Sequence, residues 1–461
     1  MANNGISTVR DPQLQEFMNS IGFDKRLLKY DIEGSKAHVM MLMGRNHITT
    51  KDGMDILNAL NVVEEDANNG GLKLEQEFED VHMNVEAALV AQVGEKGGMV
   101  HMARSRNDQV ALDLRLYTTD EIANIIALIK DLQGILLDLA EANMGVVIPG
   151  YTHLQQAQPV LLSHYALAHF HQLQRDIQRF KQTLPRVRVN PLGSAALAGT
   201  GIDIDREQTT EILGLDSPSE NSLDGVSDRD FALETLFNAS VCMTHLSGLC
   251  EELILWSSQE FGLIRFGDGH VLGSSIMPQK HNPDIAELVR GKVGRVNGNL
   301  LALLTTLKGL PLAYNKDLQE DKEALFDSVD TLKGSLMALK TALETAEVVL
   351  DQEAVIEELE NNFANATALA DHITVEMGVP FRSAYKMTKD IIAECAGTNT
   401  TLNQFPLEEY QKFGDFTEDV YTALDIMKSM EKKGSYGGTT LPRVKEALTK
   451  ARETLANENG C

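Results

Sequence analysis

The sequence predicts a mainly α protein: an elongated central helix bundle with two smaller helical end domains. Three observations carry this expectation. The 12 prolines leave long gaps, with none between Pro12 and Pro149, between Pro218 and Pro278, or between Pro311 and Pro380. Proline breaks helix interiors, so these gaps permit long helices. Apolar residues also recur at helical steps: Ile122, Ile125, Ile126, Ile129, Leu132, Leu136 and Leu139 follow one another at intervals that place them on one helix face. Finally, alternating strand-like runs are scarce.

Four further stretches, 157–182, 228–262, 284–308 and 321–358, show the helical pattern and are expected to be helices of the bundle. The segments between them are turn-rich. PRVRVNPLGSAALAGTG (185–201) and the glycine-rich stretch 266–283 interrupt the central helices, and KKGSYGGTT (432–440) lies in the tail. At about 150 residues per domain, 461 residues suggest roughly three domains. The expected boundaries are 1–109 for an N-terminal helical domain, 110–359 for the central bundle and 360–461 for a C-terminal helical domain. No fixed-period repeat and no low-complexity tract interrupts this plan.

Composition excludes several classes of function. Hydrophobic residues make up 43% and charged residues 23%, ordinary for a globular chain that buries a large core without staples. The formal net charge of -26 argues against nucleic acid and anionic membrane surfaces as partners, though local cations can still hold a small anionic substrate. The start, MANNGISTVR, has no apolar signal core, and no apolar run reaches the roughly 20 residues of a membrane span. Four cysteines, Cys242, Cys250, Cys395 and Cys461, form no CxxC pair and read as reduced thiols of a cytoplasmic protein rather than metal ligands.

The most informative segment is GSSIMPQKHNPD, residues 273–284. Gly273 permits unusual backbone angles, Pro278 and Pro283 stiffen the far side, and the loop presents two hydroxyls (Ser274, Ser275), the cation Lys280 and the amide Asn282. Backbone N–H groups of such a loop can cradle a carboxylate. The segment resembles the signature of the fumarase/aspartase superfamily, whose members eliminate fumarate from substituted succinates. ARSRNDQVALDLRLY (103–117), PGYTHLQQAQPV (149–160), NPLGSAALAGTGIDIDRE (190–207), NSLDGVSDRDFALE (221–234) and TLKGLPLAYNKDLQEDKEALFD (306–327) narrow the resemblance to the argininosuccinate lyases and the related delta-crystallins. It covers nearly the whole chain, from about residue 10 to about residue 455.

The resemblance implies a fumarase/aspartase-like fold. It also implies a reversible anti β-elimination of argininosuccinate to arginine and fumarate, a step of arginine biosynthesis that uses no metal or organic cofactor. Ser274 matches the general base that takes the proton beside a carboxylate. Lys280 and Asn282 match the donors that stabilise the resulting dianionic state, and donors fixed where charge develops supply the largest catalytic contribution. A serine hydroxyl is a poor base unless nearby cations and backbone donors activate it. His153 matches the catalytic histidine and Glu287 its carboxylate partner, which would fix the tautomer and favour the imidazolium. Thr152, Ser105, Arg106, Asn107, Tyr314, Gln319 and Lys322 match substrate contacts, Arg106 being suited to bidentate capture of a carboxylate. Ser20, Asp24 and Asp80 match positions that hold the arginine end. The superfamily also implies a homotetramer in which different subunits contribute the HLQ, RSRND and GSS segments to one site.

Plainer readings exist for each motif. RSRND reads equally as a helix start capped by Asn107 or Asp108, KDLQEDKE as a charged helix start with local ion pairs, and one histidine among 12 as a satisfied core residue. Two departures from the family pattern stand out: His101-Met102-Ala103 replaces the usual His-Thr-Gly, and His281 replaces a second lysine. The rival functions are a lyase of the same fold acting on another N-substituted aspartate, and a structural, crystallin-like protein.

Overall fold

The computed structural model describes residues 11–267, 269, 272–273, 276–277 and 279–459. It is mainly helical, and the strands among the described residues form only two-stranded sheets. Five long helices, Arg106–Ala142, Leu162–Val187, Asp230–Ser257, Asp284–Leu307 and Glu320–Glu344, follow the apolar periodicity, and all but Leu162–Val187 are free of proline. The predicted face of the first is buried: Ile122, Ile125, Ile129 and Leu132 are fully excluded from solvent.

Contacts divide the chain into two compact units, each drawn from three segments. Unit 1 holds residues 1–127, 176–244 and 291–335, and unit 2 holds 128–175, 245–290 and 336–461. Unit 1 carries a core of Ile32, Val39, Leu42, Ile56, Leu60, Val63, Val85 and Leu89, contributed by helices Leu28–Gly44, Thr50–Asn68 and Val81–Val93. The apolar residues of these helices recur at three- and four-residue steps, so each helix has one face to bury. Among its described residues, unit 2 shows two apolar clusters. One gathers Leu137, Val147, Leu161, Phe170, Leu359, Ile426 and Val444. The other packs Leu369, Ile391, Phe405, Tyr410, Phe416 and Leu424 in the C-terminal segment, where Tyr410 meets Phe405 edge-on at 5.1 Å.

Two predicted helices are corrected. The stretch 157–182 does not begin as helix, because Gln155–Leu161 is a strand paired antiparallel with Val147–Thr152, and the helix starts at Leu162. Pro159 lacks the N–H that a helix needs and is tolerated in a two-stranded ribbon. That helix then runs through Pro185 to Val187; the Arg188 N–H still closes on the Leu184 carbonyl at 2.9 Å, so proline removes one bond only, in the last turn. The stretch 321–358 splits. The helix ends at Glu344, Glu347–Val348 pairs with Ile264–Arg265, and a new helix, Gln352–Asn361, starts where Asp351 accepts the Glu353 and Ala354 N–H groups. Cys242, Cys250 and Cys395 are buried free thiols, and Cys461 lies outside the described residues. Among the described residues no helix is long and apolar enough to cross a membrane.

Candidate active site

A cleft of about 1240 Å³ opens in unit 1. Ser20 and the short helix Ile21–Asp24, the start of helix Val81–Val93, the start of helix Arg106–Ala142, the loop 195–199 and the segment around Tyr314–Lys322 line it. Of the substrate contacts expected from sequence, Ser20, Asp24, Asp80, Ser105, Arg106, Asn107, Tyr314, Gln319 and Lys322 all lie in this lining.

Local chemistry explains each placement. Ser105 Oγ accepts the Asn107 N–H at 3.3 Å, and Asp108 accepts the Ser105 N–H at 2.9 Å, a reciprocal cap that starts the helix at Arg106. The same Asp108 accepts the N–H groups of Gly193 and Ala195 at 3.1 and 2.8 Å, which holds the loop 190–201 against the helix start. Arg206 fastens the base of that loop through the carbonyls of Leu192, Ser219 and Asn190. Asp80 caps helix Val81–Val93 by accepting the Met83 N–H at 2.8 Å, and its other oxygen pairs with Arg106 Nε at 2.8 Å. The expected arginine-end acid is therefore already joined to the expected carboxylate clamp.

Acid and cation groups both reach the cleft. Asp24 accepts from Ser20 Oγ at 2.6 Å, while its Oδ1 is buried without a hydrogen-bond partner among the described residues. Burial, opposed by Ser20, raises the pKa of Asp24. Lys322 Nζ donates to Asp321 at 2.9 Å, and Asp321 also pairs with Arg229 in full burial. Burial alone would raise the pKa of Asp321, yet the two cations hold it below the ordinary value. Tyr314 Oη donates to Gln319 at 3.2 Å, and burial with Asp321 nearby pushes its phenol up to about 12.

A buried polar cluster that sequence reasoning missed reaches the cleft through His82 and Arg104. His82 Nδ1 stands 3.0 Å from Asp31 and 3.3 Å from Asp113, and Arg104 Nη2 is 3.8 Å from Asp31. Arg104 also donates to Ser35 Oγ at 2.9 Å, and Gln109 donates its amide to Asp31. Burial pushes the Asp31 carboxyl up, but His82, Arg104 and Gln109 together hold it at about 2. Burial beside the Asp31 charge drives the Asp113 carboxyl the other way, well above its ordinary value. The cluster has donor types that suit a cation, but Arg104 already supplies the positive charge. Its sequence signal was thin: two acids and a histidine at positions that otherwise read as helix faces.

The remaining candidates belong to unit 2. His153 and Leu154 form a two-residue hairpin turn between paired Thr152 and Gln155, with φ of 57° and 58°. Both central residues are left-handed, the I′ geometry that normally selects Asn-Gly. His153 lines a cavity with Tyr151, Glu252 and Trp256, while Thr152 lines a neighbouring one with Tyr165 and Thr367. Lys280, Asn282 and Glu287 share another cavity of unit 2, of about 690 Å³. The stem of the signature loop is a minimal antiparallel pair, Leu272–Gly273 with His281–Asn282. Ser274, Ser275 and Pro278 lie outside the described residues.

Comparison with known proteins decides the family. The family model described as Lyase matches residues 5–298, and the one described as Argininosuccinate lyase C-terminal matches residues 363–431. An argininosuccinate lyase of Limosilactobacillus fermentum is 49% identical over 96% of this chain and 96% of its own length. One from Pelotomaculum thermopropionicum is 50% identical over 96% of each. This chain belongs to the argininosuccinate lyase family. Among solved structures, an EDDS lyase variant with bound fumarate superposes with a TM-score of 0.84 at 25% identity, covering 98% of this chain and 91% of that one.

Against the family pattern, the Ala103 departure has a structural cost. Ala103 adopts φ of 61°, a left-handed conformation that glycine tolerates and alanine does not, at about 1–2 kcal/mol per residue. His38 holds the turn by bonding the Met102 carbonyl at 2.7 Å.

The buried cluster makes two isosteric substitutions behave differently. Asp113 keeps a proton in the folded state that the unfolded chain releases above its ordinary value of 3.8. Folding stability attributable to it therefore falls as pH rises above that value. Asp113→Asn removes the slope, so in urea titrations between pH 5 and 8 this variant should gain on the wild type as pH rises. Asp31→Asn instead strips a buried anion from Arg104 and should cost about 3–5 kcal/mol at neutral pH. Equal losses for the two variants would contradict this division of protons.

Proposed function

We propose that the protein splits argininosuccinate into arginine and fumarate by reversible anti β-elimination, as a cytoplasmic step of arginine biosynthesis. The convergence of Ser20, Asp24, Arg106, Asn107, Tyr314, Gln319 and Lys322 on one cleft is the observation that carries this reading. The substrate bears a guanidinium, an ammonium and several carboxylates. A lining with both a buried, half-partnered Asp24 and the donors of Arg106, Asn107 and Lys322 fits such a ligand better than it fits a simple dicarboxylate. The carbon–hydrogen bond next to a carboxylate is weakly acidic. Its cleavage needs a base, assigned here to Ser274, and donors where charge accumulates, assigned to Lys280 and Asn282. His153, with Glu287 as the carboxylate partner that the resemblance gives it, is assigned to general acid or to a proton relay, although the two line different cavities of the single chain. The wild-type enzyme should cleave argininosuccinate, followed by fumarate absorbance, far faster than adenylosuccinate, malate or aspartate. Comparable turnover of any control would favour the lyase for another N-substituted aspartate, and no turnover of any would favour the crystallin-like reading.

The active form is proposed to be a homotetramer whose subunits share each site. Helix Asp284–Leu307 supports this: Ala286, Val289, Val296 and Leu303 are buried, while Leu288, Leu301 and Leu304 are 47–65% exposed. Gly291, Gly294 and Gly298 leave open space for another backbone to approach. Apolar, small-residue helix surfaces of this kind mark protein contacts. Light scattering should give a tetramer, and a stable, fully active monomer would exclude shared sites.

Ser274→Ala removes one hydroxyl and little volume, so folding and assembly should survive. Turnover should fall by about 10²–10⁴-fold, the range for a lost general base, with little change in substrate binding. Ser275→Ala is the control. Near-normal turnover of Ser274→Ala, or a larger loss from Ser275→Ala, would move the base assignment to His153.

A further inference from the structure

Arg106 reaches the cleft already bound on two sides. Its Nε pairs with Asp80 at 2.8 Å, and its Nη1 donates to Gln109 Oε1 at 2.7 Å. The Gln109 amide nitrogen donates in turn to buried Asp31. Gln109 is 5% exposed and Asp31 1% exposed, so water does not replace either bond. The two neighbours of the amide are opposite charges. A flipped amide would aim its oxygen at the Asp31 carboxylate and its N–H₂ at the Arg106 guanidinium, both repulsive, so only one orientation is stable. Other residue types fail at this position. An ionised glutamate would repel Asp31, lysine would repel Arg106, and a methionine of similar length would remove one hydrogen-bond partner from each, leaving Arg106 held by Asp80 alone and Asp31 by His82 and Arg104.

We propose that Gln109 is a positioning residue: anchored by Asp31, it and Asp80 lock the Arg106 guanidinium so that its Nη2 edge faces the cleft, preorganised for a carboxylate of a dicarboxylate substrate. The chain Asp31–Gln109–Arg106–Asp80 ties helices Leu28–Gly44, Val81–Val93 and Arg106–Ala142 together at the cleft. An unlocked arginine has several rotamers, and locking one of them before binding removes an entropic cost from the bound state. The inference rests on the reading of this cleft as the substrate site, and direct binding of fumarate separates the two.

The test uses the full-length enzyme and a double-mutant cycle. Gln109→Met should raise KM for argininosuccinate about tenfold, the scale of one hydrogen bond to a charged group, with kcat within about threefold of wild type. Fumarate, titrated by calorimetry, should weaken in parallel even if argininosuccinate is not the substrate. In an Arg106→Lys background, Gln109→Met should add less than about twofold, because lysine has no fork to orient. Gln109→Glu guards against a variant that merely folds badly. Its introduced carboxyl, when protonated, can donate to Asp31 and accept from Arg106 as the amide does, so the KM of this variant should approach wild type as pH falls. The charged and titratable groups around the position are Asp31, Asp80, His82, Arg104, Arg106 and Asp113, and the wild-type profile over the same pH range corrects for them. An unchanged KM in Gln109→Met, full additivity with Arg106→Lys, or a Gln109→Glu defect that ignores pH would each overturn the proposal.

Discussion

A single buried carboxylate, Asp31, sets the terms for the rest of the cleft. An anion without water must find its compensation among fixed groups, and the groups that supply it come from several elements at once. His82 arrives from the first turn of helix Val81–Val93, Gln109 from the first turn of helix Arg106–Ala142, and Arg104 from the turn just before it. Those same first turns carry Asp80, Ser105, Arg106 and Asn107. Burying the acid thus fixes the register in which two helix starts face each other, and the candidate substrate contacts inherit that register. Burial beside the Asp31 charge pushes the Asp113 carboxyl well above its ordinary value, so the second acid of the cluster opposes ionisation where Asp31 accepts it.

Around this rigid floor the chain stores local strain. Ala103, Ala195 and Ala313 all take left-handed φ values between 50° and 72°, and each lies in or next to the cleft lining. His153 and Leu154 do the same at their hairpin tip. Such conformations persist only where surrounding bonds over-determine them. The bonds are identifiable. Asp108 grips Gly193 and Ala195, and Arg206 grips the carbonyls beneath. Gln352 brackets Val147, and Thr439 accepts the Leu161 N–H at 3.0 Å, fastening the hairpin stem. Side chains far from any chemistry therefore decide where the loop backbones stand.

The helices were legible because their physics is local. Missing prolines and a seven-residue apolar series located helix Arg106–Ala142 with its buried face. The His153-Leu154 hairpin was not legible, since its I′ turn lacks the Asn-Gly pair that would announce it. Pro159 is the one local residue there that opposes helix, and the apolar run that follows it belongs to the helix from Leu162. The substrate-contact candidates came from resemblance, and their spacing of up to some 300 residues hides any joint signal. Gln109 lies within ARSRNDQVALDLRLY, and nothing local marks it there. Its role comes from having Asp31 on one side and Arg106 on the other, a fact of packing that no sequence period expresses.

The burial pattern separates two kinds of work. Of the groups proposed to hold the substrate, Ser20, Asp24 and Lys322 are 1–2% exposed, Asp80, Arg106, Asn107, Tyr314 and Gln319 are half-buried, and Thr152 is exposed. Groups proposed to move protons or stabilise developing charge, His153, Lys280 and Glu287, are exposed in the single chain. Electrostatic stabilisation of a transition state is weak in water and strong where water is excluded. Exposed chemistry and buried recognition are therefore what a shared site requires of each separate subunit. Recognition groups can be preorganised within one chain, because their partners are neighbours in the same fold. The reactive groups gain a low-dielectric setting only when another surface covers them. On the proposed reading, the strained hairpin that presents His153 outward is the part of the chain built to enter that surface.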